Sequence, residues 1–530
     1  MLFLLWVALL IIALVLYYRE VFSRFRKHDV KYFAPYPIVG NAGELVTRTK
    51  HVTEQFDDLY YNFPEERFVG RYELTRPVLI IRDLELIKNI TLKDYEHFLD
   101  HRSLVDENMD PLFGRNLFSL KGQEWKDMRS TLSPAFTSSK MRLMVPLMME
   151  VSEMMIKSLK KQIKESGVDY ADVDCKNLTT RYANDVIASC AFGLKVDSQT
   201  DVDNEFYNVG KDTANFSFRR SLVVLGYQAF PWLMQKLQLK FFSDKTTNFF
   251  KNIILGTMKE RDEKNIFRPD MIHLLMEARK GKLTYDEKPI ESHAGFATVE
   301  ESQVGKGNVN RELSDNDVMA QAVLFFLAGF DTVSTAMSFL LHELALNPEV
   351  QETLAQEIKE HDIKHGGKFD FSSVQNLAYL DMVVSETLRR WPPAIGTDRL
   401  CVKDYNMGKP NKNSKEDYII RKGEALTIPT WCFHHDPEYF PDPYKFDPER
   451  FSEENKHNIK PLAYIPFGLG PRNCIGSRFA LCEIKVMVYQ LLQQMEISPC
   501  EKTQIPVKLA KDTFNIIIQG GHWARFKLRN

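Results

Sequence analysis

The chain has 530 residues, 44% hydrophobic and 12% aromatic, which is enough apolar material for a large buried core. Lysine and arginine (69) nearly balance aspartate and glutamate (71), and the formal charge of −2 excludes the broad basic surface that nucleic acid requires. Seven scattered cysteines, an odd number, argue for a reduced chain rather than a disulfide framework.

Residues 1–18, MLFLLWVALLIIALVLYY, carry no charge. About 18 residues at ~1.5 Å each just cross a hydrocarbon core about 30 Å thick. The positive charges come afterwards, at Arg19, Arg24, Arg26, Lys27 and Lys31. A cleaved secretory signal would instead carry a basic region ahead of a shorter apolar run. Residues 1–20 therefore read as a single-pass transmembrane anchor, with the rest on the cytoplasmic side by the positive-inside rule. Residues 21–41 are basic and proline-rich, and Pro35 and Pro37 stiffen an extended hinge. Residues 42–530 form the folded body.

Strand patterns occur early, at 67–72 and 77–82, and late, at 418–420 and 425–428. The segments 514–519 and 522–528 flank Gly520-Gly521, a two-residue hairpin pattern. Between about 83 and 395 the periodicity is helical. The fold expected is mostly α, with a small β-rich lobe assembled from both ends of the chain. Residues 279–312 are polar, charged and glycine-containing, and read as a mobile surface loop.

Within this frame several constellations carry chemistry. Trp125 and Arg129 stand at i,i+4 and share a helix face. Ser314 and Asp317 make a capping pattern for a helix of roughly thirty residues ended by Asn347-Pro348. Inside it, Ala328-Gly-Phe-Asp-Thr332 places a glycine and two polar groups where each is costly in a core helix. Glu386 and Arg389 stand at i,i+3, and Arg450 follows in Phe446-Asp-Pro-Glu-Arg-Phe451. His434-His435-Asp436-Pro437 has no matching metal ligands nearby and reads as a loop feature. The densest constellation is Phe467-Gly-Leu-Gly-Pro-Arg-Asn-Cys474-Ile-Gly476, directly ahead of a helical run. Three glycines permit tight turns there, and the helix terminus favours a thiolate on Cys474. Such a thiolate suits a metal tuned by hydrogen bonds to the sulfur. Taken singly, each constellation has a plain structural reading: a packing glycine, a surface ion pair, a cysteine in a turn.

Together and in this order they resemble the cytochrome P-450 superfamily, the haem-thiolate monooxygenases, of microsomal type. Residues 132–137, 379–387 and 467–476 look most like the clan containing the vertebrate drug-metabolising enzymes. Gly295-Phe-Ala-Thr-Val-Glu-Glu301 and Asp331-Thr-Val-Ser334 look more like its insect detoxifying branch. The resemblance implies the cytochrome P-450 fold with haem b, its iron held by Cys474. It also implies that Trp125, Arg129, Arg399 and Arg472 receive the haem propionates, with Ala328 and Phe467 as further haem contacts. Asp331 and Thr332 would be the acid–alcohol pair that relays protons to dioxygen; many relatives carry a second threonine where this chain has Val333. Glu386, Arg389 and Arg450 would be a structural network.

With no G-x-G-x-x-G or flavin motif after a strand, electrons are expected from NADPH through a flavoprotein reductase in the same membrane, that of the endoplasmic reticulum, with cytochrome b5 as a further partner. Lys126, Arg478 and Lys485 are candidate basic contacts for the reductase. The substrate would be a lipophilic small molecule, in a pocket near 109–118, Phe325, Phe326, 394–397 and 511–515. Two rival readings are a haem-thiolate isomerase or dehydratase, and a non-catalytic haem sensor.

Overall fold

A computed structural model describes residues 2–529 apart from 104, 106, 216–219, 221–222, 225, 228–229, 284–294 and 308–311. Leu2–Val21 forms one apolar helix with no buried residue. The basic segment after it is not a free tether. Arg24 pairs with Glu424 at 2.8 Å, and Phe25 is fully buried with its ring 4.9 Å from that of Tyr72. Gly70 makes this possible, because a Cβ there would stand 2.5 Å from the Phe25 ring. The proline stretch ends where Asn41 Oδ1 accepts from Tyr72 N–H at 2.7 Å.

About 53% of the chain is helical, with small sheets, as the periodicity predicts. The main sheet joins chain regions far apart in sequence. Phe68–Glu73 and Arg76–Ile81 pair antiparallel, Arg76–Ile81 pairs parallel with Ala425–Ile428, and Thr397–Leu400 closes the far edge. Every residue of Ala425–Ile428 is buried, in keeping with a central strand covered on both faces.

The hairpin expected around Gly520-Gly521 does not form. Trp523–Leu528 pairs instead with Tyr170–Asp174 on one side and Met495–Ser498 on the other. Residues 514–519 contribute only an isolated bridge, Leu509 to Ile518. The two arms serve different interiors: Ala524 and Phe526 point into the helical core, while Ile516 and Ile518 point into the core of the sheet lobe. One turn therefore passes the chain between two cores instead of folding it back on itself.

The helix Asp315–Leu346 runs through the helical core. Ser314 Oγ accepts from Asp317 N–H at 3.1 Å and Asp317 accepts from Ser314 N–H at 3.0 Å, a reciprocal cap. The helix stops at Asn347, ahead of Pro348. It packs along Cys175–Cys190 and crosses Ser477–Leu492, the helix that follows the Cys474 turn.

Candidate active site

The cysteine loop is shaped by its glycines. Gly470 takes φ +68°, and a Cβ there would meet the Thr91 carbonyl oxygen at 1.9 Å, so only glycine fits. Cys474 N–H donates to Phe467 O at 2.8 Å, closing the turn. The Ser477–Leu492 helix begins three residues later, with Gly476 as its N-cap. Burial pushes the Cys474 thiol up, against the pull of the Gly476 N–H and the Arg129 guanidinium. That burial opposes the thiolate stabilisation expected from the helix terminus. A bound cation would supply the missing stabilisation, since a metal-coordinated thiol is deprotonated outright.

The Cys474 side chain is nonetheless accessible. Phe136 lines the same small cleft as Cys474 and meets Phe325 of the central helix edge-on at 5.2 Å. On that helix Ala328 and Thr332 are accessible, one turn apart, amid neighbours that are mostly buried.

Two arginines fit the carboxylates of a haem. Arg399 is 2% exposed, and among the described residues its guanidinium donates only to Thr397 Oγ1 and Asp398 O. The Asp398 carboxylate is already taken by His101 at 2.9 Å and by Arg102. Burial pulls the Arg399 guanidinium down to about 10. Arg472 donates to the Leu99 and Leu120 carbonyls at 2.7 Å each and lies 4.0 Å over the Trp125 ring. Burial, then the neighbouring Arg399 charge, lowers it well below its usual value. The Asp100 carboxylate stands 3.6 Å from Arg472, and the two neighbouring, mutually repelling cations still leave room for further carboxylates. The expected haem contacts therefore fit the group at Cys474, Arg399, Arg472 and Trp125.

Arg129 is differently placed. Its guanidinium holds Glu301 at 2.7 Å, together with the Asn473 carbonyl at 2.8 Å and Asn473 Oδ1 at 2.7 Å. Glu301 belongs to the segment that composition assigns to a surface loop. Residues 284–294 and 308–311 of that segment lie outside the described residues, but 295–307 pack against the cysteine loop. In sequence, Gly295–Glu301 stood out only by its likeness to the insect branch, which assigns Glu301 no partner.

Asp331 and Thr332 adjoin in the helix and turn to different partners. The Asp331 carboxylate meets Lys176 Nζ at 3.1 Å and Asn515 Nδ2 at 2.7 Å. Thr332 Oγ1 donates to the Ala328 carbonyl at 2.5 Å. Phe326, expected to line the pocket, is fully buried with Phe206, Phe250 and Phe330 at 5.3–5.5 Å. Its side of the helix packs against neighbouring helices.

Lys485 is not a surface contact. It is 2% exposed and paired with Asp381 at 2.7 Å. Lys126 remains on the surface, paired with Glu96. His434 and His435 end a short helix, Thr430–His435, and are buried rather than in a loop. His434 accepts from Ile465 N–H at Nε2 and bonds the Arg389 carbonyl through Nδ1, which fixes a neutral ring. Glu386 and Arg389, both fully buried, pair at 2.6 Å, and Arg450 approaches Glu386 at 3.5 Å.

An accessible cysteine on a glycine-shaped turn, buried arginines and a Glu-Arg-Arg knot are features expected of a haem-thiolate oxygenase. The chain belongs to the Cytochrome P450 family, whose profile matches residues 30–522. It is similar to Cytochrome P450 9e2 of Blattella germanica, 46% identical over 94% of this chain and 92% of that protein. Cytochrome P450 9c1 of Drosophila melanogaster is 36% identical over 98% and 97%. Cytochrome P450 6j1 of Blattella germanica is 34% identical over 96% and 94%. Membership makes the protein a haem-dependent monooxygenase.

Proposed function

We propose that this monooxygenase inserts one oxygen atom of O2 into lipophilic small molecules, foreign compounds among them, while anchored in the endoplasmic reticulum membrane by residues 1–20 with its body toward the cytoplasm. Electrons come from NADPH through a flavoprotein reductase, with cytochrome b5 as a second donor. When bound, the haem supplies the redox chemistry that activates dioxygen. Cys474 would hold the iron through its thiolate and donate electron density to it. Arg399 and Arg472 would neutralise the propionates, with Trp125 backing Arg472. Ala328 and Phe467 would be further contacts to the haem.

The chain's own contribution to the reaction is proton handling and exclusion of water. Thr332 presents an accessible hydroxyl from the middle of a buried helix. Its proton is held on the Ala328 carbonyl, which leaves the oxygen free to accept a second hydrogen bond and pass a proton on. The Asp331 carboxylate pairs with Lys176, one residue from that hydroxyl. Apolar residues around the central helix favour hydrophobic ligands. The observation that carries this reading is the accessible Cys474 at the foot of a glycine-shaped turn that also holds the buried Arg472.

The test is Cys474→Ser. A serine hydroxyl resists deprotonation and is a poor donor, so the red-shifted absorption band of the carbon-monoxide-bound ferrous protein disappears. Retention of that band removes Cys474 as the ligand. A substrate-depletion screen with a reconstituted reductase then sorts foreign compounds from endogenous lipids.

A further inference from the structure

Residues 295–307 pack against the cysteine loop, where Val299 and Glu301 line the cleft of Cys474, and are fastened at both ends. Phe296 N–H donates to Asp381 at 2.8 Å, and the same carboxylate pairs with Lys485 of the cysteine-loop helix. The Phe296 ring packs on Phe451 at 5.0 Å. At the other end the Ser130 hydroxyl donates to the Gly307 carbonyl. Between these points Glu301 enters the interior.

Its side chain is 9% exposed and that of Arg129 is 3% exposed. Glu301 takes Arg129 on two edges, at 2.7 and 3.2 Å, and receives Ser133 Oγ at 3.1 Å. Arg129 donates onward to both oxygens of Asn473. Asn473 Nδ2 returns to the Glu300 carbonyl at 2.9 Å. The circuit is closed, and Asn473 is bonded directly to Cys474.

We propose that residues 295–307 are a clamp on the Cys474 loop, with Glu301 as a positioning residue that acts through Arg129 and Asn473. This rests on the reading of Cys474 as the haem ligand. The clamp has a mechanical and an electrostatic part. Mechanically, it fixes the peptide that carries the sulfur. Electrostatically, Glu301 offsets the charge of Arg129, whose guanidinium bonds the peptide next to that sulfur. Removing the Glu301 charge loosens the loop and leaves that cation uncompensated beside the sulfur. A nearby cation favours the reduced metal.

The experiment uses the full-length, haem-loaded protein and three variants: Glu301→Gln, Glu301→Asp and Glu300→Gln. Glu300 has an exposed side chain and contributes only its carbonyl to the circuit. The readouts are the rate of haem transfer to a haem-free globin and the reduction potential by spectroelectrochemistry. Glu301→Gln should release haem roughly 10- to 100-fold faster and shift the potential upward. Glu301→Asp should recover part of both effects, and Glu300→Gln should match the wild type. Wild-type haem retention and potential in Glu301→Gln overturn the clamp, as does an equal change in Glu300→Gln. Should Glu301→Gln fail to accumulate, Glu301→Asp decides by the same readouts: values between wild type and haem loss support the clamp, and wild-type values overturn it. Absence of the thiolate band in the wild type would instead remove Cys474 as ligand, a separate failure.

Discussion

Lys176 Nζ reaches the Asp331 carboxylate at 3.1 Å from a neighbouring helix and at the same time donates to Ser334 Oγ and Thr335 Oγ1, both at 2.8 Å. One lysine thus ties down a full turn of the central helix beside Thr332. The Asp331 carboxylate is oriented away from the hydroxyl next to it in sequence, so the two residues act through different neighbours. The relay is tested at Thr332.

Thr332→Ala should leave substrate binding and haem reduction nearly unchanged, since neither needs a proton passed to oxygen. Reducing equivalents should escape as hydrogen peroxide, and product per NADPH should fall about tenfold. This is short of the ~10²–10⁴ of a lost general acid because water can substitute in part. Peroxide and product measured against NADPH in one assay decide the matter. An unaltered ratio leaves Thr332 as a residue that only bonds its own backbone.

Arg389→Lys should be far more damaging than a conservative change suggests. The guanidinium bridges Glu386 on two edges and also donates to the His434 and Pro443 carbonyls. A lysine ammonium cannot reproduce that fork. Breaking a fully buried pair costs about 3–5 kcal/mol, so little folded, haem-loaded protein should accumulate. Chemical denaturation with the haem absorbance as probe measures the loss; a midpoint equal to wild type refutes the structural role.

Stability should fall on acidification partly through His435. Burial, then the Arg389 charge, depresses its folded value to about 3, against about 6.5 unfolded. Its contribution is complete above pH ~6.5 and is lost as pH falls toward 3, because the unfolded chain binds the proton first. His435→Phe keeps a ring against Trp431, whose centroid lies 4.1 Å away, and removes the titration. The variant should lose less melting temperature than wild type between pH 7.5 and 5.5. Parallel pH profiles would exclude His435 as a source of acid sensitivity.

Deleting residues 2–20 should release much of the protein from membranes while haem still binds, since Leu2–Val21 buries nothing. Deleting residues 2–41 should behave differently. It removes Phe25, fully buried against the sheet lobe, and the Arg24–Glu424 pair, at a cost of about 3–5 kcal/mol for the ring alone. Sedimentation and thermal melts of the two truncations make the comparison. Equal stability would show that the segment is only a tether.

Where information is local, the chain declared itself. The reciprocal cap at Ser314, the stop at Asn347-Pro348 and the strand Ala425–Ile428 follow from a few adjacent residues, and so does the turn into Cys474. Where partners lie far apart in sequence, periodicity carries no information. The strand Tyr170–Asp174 sits inside a helical region and makes sense only against Trp523–Leu528. Lys485 looks like a solvated charge until Asp381 is found beside it. Glu301 lies in polar sequence, and its partner Arg129 is 172 positions away. Phe326 fails as a pocket residue for a related reason: a helix apolar nearly all round does not announce which side faces the ligand.

The main sheet has a consequence for how the protein is made. Arg76–Ile81 emerges early in synthesis, and its inner neighbour Ala425–Ile428 follows about 350 residues later. At a synthesis rate of about 5–20 residues per second, that edge stays unpaired for some tens of seconds. Throughout that interval Arg24 has no Glu424 to hold, and the first hairpin waits with exposed backbone donors and acceptors. The nascent chain is most vulnerable to aggregation then.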